Sequence, residues 1–170
     1  VPGAGDERVD EQRPPDTEVE AFPGVRAPRP PSYDQADVAA EPAYVRDRPP
    51  LLPAVQRFDD RLYRRRLQSM LGVEDLLRNL VDSLRRTHEL DDTYIVFTSD
   101  NGFHLGEHRL PFGKQTPYDT DIHVPLIVRG PGVPAGRTVA GMAREIDLAP
   151  TFAAWGGAAV PAFVDGTSLA

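Results

Sequence analysis

Two short apolar runs set the strongest limit on what this chain can fold into. TYIVFTS, residues 93–99, and HVPLIVRG, residues 123–130, are rich in β-branched and aromatic side chains, with apolar residues at both alternating positions. Runs of this kind are typical of strands whose sheet is covered on both faces. We therefore expect two central strands of an α/β protein, each buried on both sides.

The segments around these runs predict helices. Between residues 58 and 91, apolar residues from Met70 to Leu84 recur mostly every three or four positions, which traces one face of a helix. This helix is expected to end near Thr87–Glu89, where ELDD supplies a polar turn. DLAPTFAAWGG, residues 147–157, predicts a shorter helix that has Asp147 as its N-cap and a glycine at its end.

Two weaker elements complete the predicted order. A short helix is expected near Tyr33–Val38, and TVAGMAREI, residues 138–146, is a candidate third strand. Helix, strand, long loop, strand, strand and helix is the order typical of a layered α/β domain.

Composition divides the chain before this domain begins. Residues 1–20 contain seven acidic residues and two arginines, so we expect a flexible acidic segment that buries too little to offset its ordering entropy. Residues 21–57 are proline-rich, and 11 of the 18 prolines lie at or before Pro53. They predict an extended segment packed on the domain formed by residues 58–170.

Charge and residue usage exclude several classes of function. A net charge of −7 and a pI near 5.0 argue against a nucleic-acid partner, and the arginines of RLYRRR, residues 61–66, are interpreted as a solvated helix face. The chain has no cysteine, which excludes disulfides, Cys-based zinc sites and a thiol nucleophile within these residues. No apolar run approaches the roughly 18 residues of a membrane span.

The first apolar run leads directly into an Asp-Asn-Gly sequence. Asp100 and Asn101 offer two hard oxygen donors at the carboxyl end of a strand, where ligands collect in open α/β sheets, and such donors suit Ca²⁺ or Mg²⁺. Gly102 would let the backbone turn away from a bound ion. The alternative is a type I′ hairpin turn, although the residues that follow lack the alternation of a returning strand.

Two histidines and a lysine follow in the same loop. His104 and His108 stand four apart, a spacing that would place both on one helix face, but Gly106 argues against a regular helix. Surface or packing roles for both histidines therefore remain alternatives to a functional one. Lys114 could neutralise an anionic substrate near a metal pair, which indicates chemistry on a phosphate or sulfate ester.

The ordered motifs resemble a known family. TSDNGFHLGEHRLPFGK, PYDTDIHVPLIVRGPG and IDLAPTFAAWGG, together with the upstream helix and APRPPSYDQAD, are similar to the formylglycine-dependent sulfatases over about residues 21–170. Within that family they most resemble the N-acetylglucosamine-6-sulfatase and heparan 6-O-endosulfatase branch. The resemblance implies an α/β, alkaline-phosphatase-like mixed-sheet sandwich, of which this chain is a partial domain from the C-terminal part.

The resemblance also assigns roles to residues of the loop. It implies that Asp100 and Asn101 bind one calcium ion, and that Lys114 contacts the sulfate and stabilises the bridging oxygen during cleavage. His104 occupies a position that lines the substrate pocket and is a second catalytic candidate, and His108 is a weaker substrate-binding candidate. Asp119 and Asp121 are expected to be structural, holding the loop against the second strand.

Departures from the family pattern limit what this chain could do alone. The Cys/Ser-x-Pro-x-Arg motif that yields the formylglycine nucleophile is absent from these residues, so we expect the chain alone to be inactive. The remaining calcium ligands are expected upstream, in a longer, exported parent that is secreted, periplasmic or lysosomal.

The expected substrate of that parent is a sulfated sugar such as N-acetylglucosamine 6-sulfate, or an aryl sulfate. The alternatives are a phosphodiesterase or phosphonate monoester hydrolase of the same fold, and a non-catalytic metal-binding remnant. The oligomeric state is not indicated by the sequence.

Overall fold

A computed structural model describes residues 21–170, which belong to two units. The first unit runs to Thr93 and resumes over Asn101–His123, and the second contains Tyr94–Asp100 and Val124–Ala170. The helices are α1 (Ala43–Arg46), α2 (Pro53–Arg86), α3 (Asp119–Ile122) and α4 (Leu148–Trp155), with 3-10 turns at Leu90–Asp92 and Glu145–Asp147. The strands are β1 (Ile95–Phe97) and β2 (Ile127–Arg129).

Helix α2 dominates the first unit and spans 34 residues. Pro53 begins it, since the fixed φ of proline suits the first helical position. Arg85 and Arg86 occupy the last turn, where cations interact favourably with the helix dipole, and Thr87 is the C-cap. The predicted end is therefore confirmed, whereas the helix begins before the change in composition at Phe58.

The apolar face predicted along the second half of α2 is only partly covered. Leu62 is 1% exposed, but Met70 and Leu80, further along that face, are exposed by 48 and 44%. The helical period was read correctly from the sequence. Among the described residues, the buried side chains of α2 lie in its first half. The proline-rich segment and the loop within Asn101–His123 pack against that half.

The proline-rich segment packs through turns and one short helix. The predicted helix near Tyr33–Val38 is wrong, because Tyr33 forms an isolated bridge with Glu107 and Asp34 has a φ of +46°. The Asp34 carboxylate accepts a hydrogen bond from the Leu51 amide at 2.8 Å, a competing interaction typical of aspartate in turns. The helix in this segment is α1, further along the chain.

A small apolar core holds this segment against the loop of the first unit. Val38, Val45 and Leu110 are 8, 0 and 4% exposed, and Tyr118 packs against them. Since these residues come from three separate parts of the sequence, their burial fixes the loop on the proline-rich segment.

In the second unit, β1 and β2 pair antiparallel, with Ile95 opposite Arg129 and Phe97 opposite Ile127. Within the described residues the sheet has these two strands, and Ile127 is 60% exposed. The expectation that both strands are buried on both faces is therefore wrong for this chain. Burial on two faces requires neighbouring layers that the described residues do not supply.

An aromatic stack lies beside this sheet within the second unit. The rings of Tyr94 and Trp155 are parallel with centroids 4.1 Å apart, and the Tyr94 hydroxyl donates to the Pro131 carbonyl at 3.0 Å. A Cβ at Gly130 would lie 2.2 Å from the Tyr94 ring, so glycine is required there for the close approach. The stack joins α4 to the residue that precedes β1.

Asp147 precedes α4 as predicted but does not cap it with its side chain. Its buried carboxylate accepts hydrogen bonds from the amides of Arg144 at 2.9 Å and Thr167 at 2.8 Å. The amide of Thr167 first, and then Arg144, hold the pKa of Asp147 below its ordinary value. The predicted end of α4 is confirmed, with Gly156 as C-cap.

The predicted third strand at residues 138–146 is wrong. The chain there is irregular up to Arg144 and then forms the turn Glu145–Asp147. Val139 and Met142 are 71 and 91% exposed, so the weak apolar alternation has no packing partner among the described residues.

None of the helices in residues 21–170 combines the length and the apolar character needed to cross a membrane.

Candidate active site

Main-chain hydrogen bonds shape the loop that follows β1. The amides of Gly102 and Phe103 donate to the carbonyls of Asp121 and Thr120, each at 2.8 Å. The main chains of His104 and Gly113 form an isolated antiparallel bridge, with two hydrogen bonds of 2.9 and 3.1 Å. Residues 102–104 are therefore paired with two later parts of the same loop.

The Asp-Asn-Gly sequence is not a hairpin turn. A type I′ turn needs positive φ at both central residues, and neither Asn101 nor Gly102 has one. Glycine is needed at 102 for a different reason, because a Cβ would lie 1.9 Å from the Thr120 carbonyl oxygen. The turn hypothesis is wrong, and the predicted role of Gly102 as a sharp bend is replaced by close backbone approach.

Lys114 and Asn101 meet across the loop. The Lys114 ammonium donates to Asn101 Oδ1 at 3.0 Å, and the bridge between His104 and Gly113 brings Lys114 back toward the start of the loop. The Lys114 side chain is exposed. Two predicted site residues that are 13 positions apart are thus in direct contact, and the oxygen of Asn101 faces a cation.

His104 is buried in contact with a carboxylate. Its Nδ1 lies 2.9 and 3.0 Å from the two oxygens of Asp121, which also accepts from the amide and hydroxyl of Thr116 at 2.8 and 2.7 Å. Burial raises the pKa of Asp121, but the hydrogen bonds from Thr116 and His104 outweigh it and leave the pKa below the ordinary value. The ionised carboxylate can only accept, so His104 is protonated on Nδ1.

His104 and Lys114 line the same open depression, of about 590 Å³. A Cβ at Gly113 would lie 3.3 Å from Nε2 of His104, which places that side of the imidazole against the glycine backbone. Tyr44 and Arg48, from the proline-rich segment, also line the depression. No motif connects these two residues to a loop some 60 positions away, so their place in the depression could not be predicted from the sequence.

His108 lies in a different environment from His104. Its Nδ1 is 2.7 Å from Gln35 Oε1 and its ring stacks on Tyr118 at 3.8 Å. Glu41 accepts from Gln35 and from the Tyr118 hydroxyl, and these bonds lower the pKa of Glu41. Among the described residues that line the depression, His108 is absent. The two histidines therefore lie in different environments. The contacts of His108 are those of a residue that packs the loop.

The residues implied for a calcium ion fit it in donor type but are few. Asp100 is an exposed carboxylate, and the amide oxygen of Asn101 already accepts from an ammonium group. Both are the hard oxygen donors that Ca²⁺ prefers. Within residues 21–170, no cluster of three or more His, Asp or Glu side chains could hold a metal ion. The location of the remaining ligands in other parts of the parent stays a prediction.

Asp119 and Asp121 differ in their surroundings within the first unit. Asp121 is 4% exposed and joins α3 to Thr116 and His104, whereas Asp119 is exposed. The structural role of Asp121 is real, but its contact with His104 was not foreseen. Its only signal in the sequence is a carboxylate in the same loop as a histidine.

Solved structures with known functions share this fold. A protein in complex with its substrate, D-glucosamine-2-N,6-O-disulfate, matches with a TM-score of 0.65 and 35% identity, over 78% of this chain and 27% of that one. A phosphonate monoester hydrolase from Silicibacter pomeroyi matches with a TM-score of 0.63 and 31% identity, over 85% of this chain and 30% of the other. The fold is thus a part of an alkaline-phosphatase-like α/β domain.

Sequence comparison then narrows the class to one family. Residues 10–158 match the profile of the family described as Sulfatase. The extracellular sulfatase SULF-1 homolog of Drosophila melanogaster is 40% identical over 139 residues, and human N-acetylglucosamine-6-sulfatase is 40% identical over 131 residues. The chain belongs to the sulfatase family.

The chain spans only a small part of these relatives. The matches cover 82 and 77% of this chain, but 12% of the Drosophila protein and 24% of the human one. The predicted family and the partial-domain interpretation are therefore confirmed together.

Proposed function

We propose that this chain forms the lysine-bearing part of a sulfate-ester site, in a parent sulfatase that acts on 6-sulfated glucosamine. The observation that carries the proposal is the contact of Lys114 with Asn101 at 3.0 Å, beside a depression that His104 also lines. The choice of sugar rests on relatives named N-acetylglucosamine-6-sulfatase and on the neighbour bound to a glucosamine disulfate.

Lys114 is the proposed sulfate contact. It is a compact cation on a flexible stem, exposed at the edge of an open depression, and it could turn from Asn101 to an incoming anionic group. A cation so placed stabilises the negative charge that develops on the bridging oxygen as the ester is cleaved.

We propose Asp100 and Asn101 as two ligands of one calcium ion. When bound, the ion would supply further charge stabilisation for the sulfate group. Consecutive carboxylate and amide oxygens support this assignment. The other ligands and the formylglycine nucleophile are proposed to lie in parts of the parent outside these residues.

His104 is proposed to position the substrate. With Nδ1 donating to Asp121, Nε2 is the ring nitrogen left to contact a substrate, and in the neutral tautomer it accepts hydrogen bonds. A sugar hydroxyl is the proposed donor to it. The buried carboxylate fixes the imidazole in one orientation, as a second group does in other sites that use histidine. His108 is retained only as a peripheral substrate candidate.

A binding experiment on the 170-residue chain tests the proposal. Glucosamine 6-sulfate would be titrated into the wild type and into Lys114→Met, which keeps side-chain length and removes the charge. We expect Lys114→Met to bind at least about tenfold more weakly, since one charge-assisted contact is worth about 1.5–3 kcal/mol. Gln115→Asn is the matched control, because Gln115 also lines the depression and has a positive φ that asparagine tolerates. Equal affinities of Lys114→Met and the control would contradict the proposal.

The second candidate function is hydrolysis of a phosphonate monoester or phosphodiester. It is favoured by the match to the Silicibacter pomeroyi hydrolase, over 85% of this chain. The same titration with a phenyl phosphonate monoester separates the two. Tighter binding of the phosphonate than of the sulfated sugar would favour the second candidate.

We also infer that the parent is exported. Relatives at 40 and 42% identity are named extracellular sulfatases, in Drosophila melanogaster and Caenorhabditis elegans. Fractionation of the source organism with an antibody to this chain would test the inference, and a purely cytosolic signal would contradict it.

A further inference from the structure

A second depression, away from the lysine loop, is lined mainly by arginines. It has a volume of about 340 Å³ and is lined by Gly24, Arg26, Arg57, Asp60, Arg61 and Arg64. The proposed catalytic role uses none of these residues. The net charge of the chain is −7, but four guanidinium side chains around this depression make its local charge positive.

Helix geometry arranges three of these arginines in a row. Arg57, Arg61 and Arg64 are separated by four and three positions, so they share one face of α2 on successive turns. Arg26 comes from the preceding extended segment, which hydrogen bonds hold on the helix on either side of this arginine. The Ala27 amide donates to Asp60 at 3.0 Å, and Arg64 donates to the Val25 carbonyl at 2.7 Å.

We call this second depression the arginine groove. Its positive charge is not neutralised within the described residues. Asp60 is the one carboxylate among its lining residues, and it is already engaged by Arg29 at 2.6 Å. Arg26 and Arg57 are exposed and form no ion pair with any residue in 21–170. Several guanidinium groups therefore point donors toward solvent with no internal acceptor.

We propose that this arginine groove binds sulfo groups of a sulfated glycan chain, outside the Lys114 depression. Guanidinium forks match the geometry of oxoanions, and cations repeated along a helix suit anionic groups repeated along a polymer. The choice of sulfate over phosphate rests on the proposed function.

Aromatic contacts connect the groove to the Lys114 depression within the first unit. The guanidinium of Arg61 lies 5.7 Å from the centre of the Phe58 ring, and the Phe58 ring lies 5.2 Å from that of Phe112. Phe112 lines the Lys114 depression. A polymer held by the groove would therefore be retained close to the loop, in the way that a second contact on one chain raises effective concentration.

The test is binding of fluorescently labelled heparin to the 170-residue chain in low salt. Arg57→Ala/Arg61→Ala removes two exposed guanidinium groups, and we expect about tenfold weaker binding with a shallower salt dependence. Arg85→Ala/Arg86→Ala, at the other end of α2, lowers the net charge equally and should bind like the wild type. Equal losses in both double variants would overturn the proposal.

Two further arms separate this inference from the proposed function. Lys114→Met should keep heparin binding while losing affinity for glucosamine 6-sulfate, and the groove variant should do the reverse. If Lys114→Met keeps its affinity for glucosamine 6-sulfate, the assignment of Lys114 is wrong. If the groove variant keeps its affinity for heparin, the assignment of the arginine groove is wrong. A single-stranded oligonucleotide should bind at least tenfold more weakly than heparin, and equal binding would reduce the groove to a general polyanion surface.

Discussion

His104 Nδ1 lies 2.9 Å from Asp121 Oδ1, and both side chains are almost fully buried although 17 residues separate them in the chain. The same carboxylate accepts two hydrogen bonds from Thr116. Asp121 therefore joins three points of one loop and fixes the tautomer of the histidine that lines the depression. Its contribution to stability should therefore depend on pH.

Asp121→Asn is expected to lower the free energy of unfolding by about 1–3 kcal/mol near neutral pH, because a buried charged acceptor is lost. The folded-state pKa of Asp121 is depressed, so its stabilisation is present above the ordinary value of 3.8 and is lost as pH falls through the folded pKa. Urea unfolding at several pH values would measure the difference. A gap between variant and wild type that is the same at pH 2 and pH 7 would contradict this assignment.

Gly102→Ala is expected to destabilise the chain by about 2–3 kcal/mol, because its Cβ would overlap the Thr120 carbonyl and force the backbone apart. Thermal or urea unfolding would measure the loss. Gly141→Ala is the matched control, since only the Val139 side chain comes within 4 Å of the added Cβ, at 3.8 Å. Its expected effect is within about 0.5 kcal/mol. Similar losses in the two variants would show that the close approach at Gly102 does not govern the loop.

Asp59 should make stability depend on pH in the opposite direction to Asp121. It is 1% exposed, its Oδ2 accepts from the Tyr33 hydroxyl at 2.9 Å, and Oδ1 has no partner among the described residues. Burial raises the pKa of Asp59, so its favourable contribution exists below the ordinary value of 3.8 and disappears as pH rises through the folded pKa.

Asp59→Asn removes this buried charge. We expect the stability of the variant relative to the wild type to increase from pH 3 toward neutral pH, as measured by urea unfolding. The amide adds a constant cost that does not change with pH. Parallel curves for the two proteins would show that the pKa of Asp59 is the same in the folded and unfolded states, which would contradict its elevation by burial.

The 170-residue chain is expected to release no sulfate from 4-nitrophenyl sulfate, with or without calcium. It has no cysteine and no Cys/Ser-x-Pro-x-Arg motif, so the covalent step has no nucleophile within these residues. Absorbance of the released phenol measures turnover. Turnover in the wild type that Lys114→Met abolishes would show that another group of this chain serves as the nucleophile.

Local patterns predicted the elements whose signals are local. The periodicity of α2 and the polar turn after it located its end at Thr87, and Gly156 ended α4 as its position suggested. The sequence also placed Lys114 near Asp100 and Asn101, although it did not predict the direct contact of Lys114 with Asn101. These features depend on a few neighbouring residues, which a single sequence displays directly.

Features that depend on distant packing could not be predicted in this way. The contribution of Tyr44 and Arg48 to the depression requires the proline-rich segment to fold back on the loop. The predicted third strand was wrong for the same reason, since the apolar side chains of Val139 and Met142 have no packing partner among residues 21–170. Burial is set by what lies opposite a residue, and that information is not local.

The pairing of residues 102–104 with Gly113 and with Thr120–Asp121 uses main-chain groups. Side chains at exposed positions of the loop, such as Pro111 and Pro117, can therefore vary without removing these main-chain bonds. Point substitutions at these positions can therefore change substrate preference while the backbone conformation stays the same. This holds in evolution and in directed engineering.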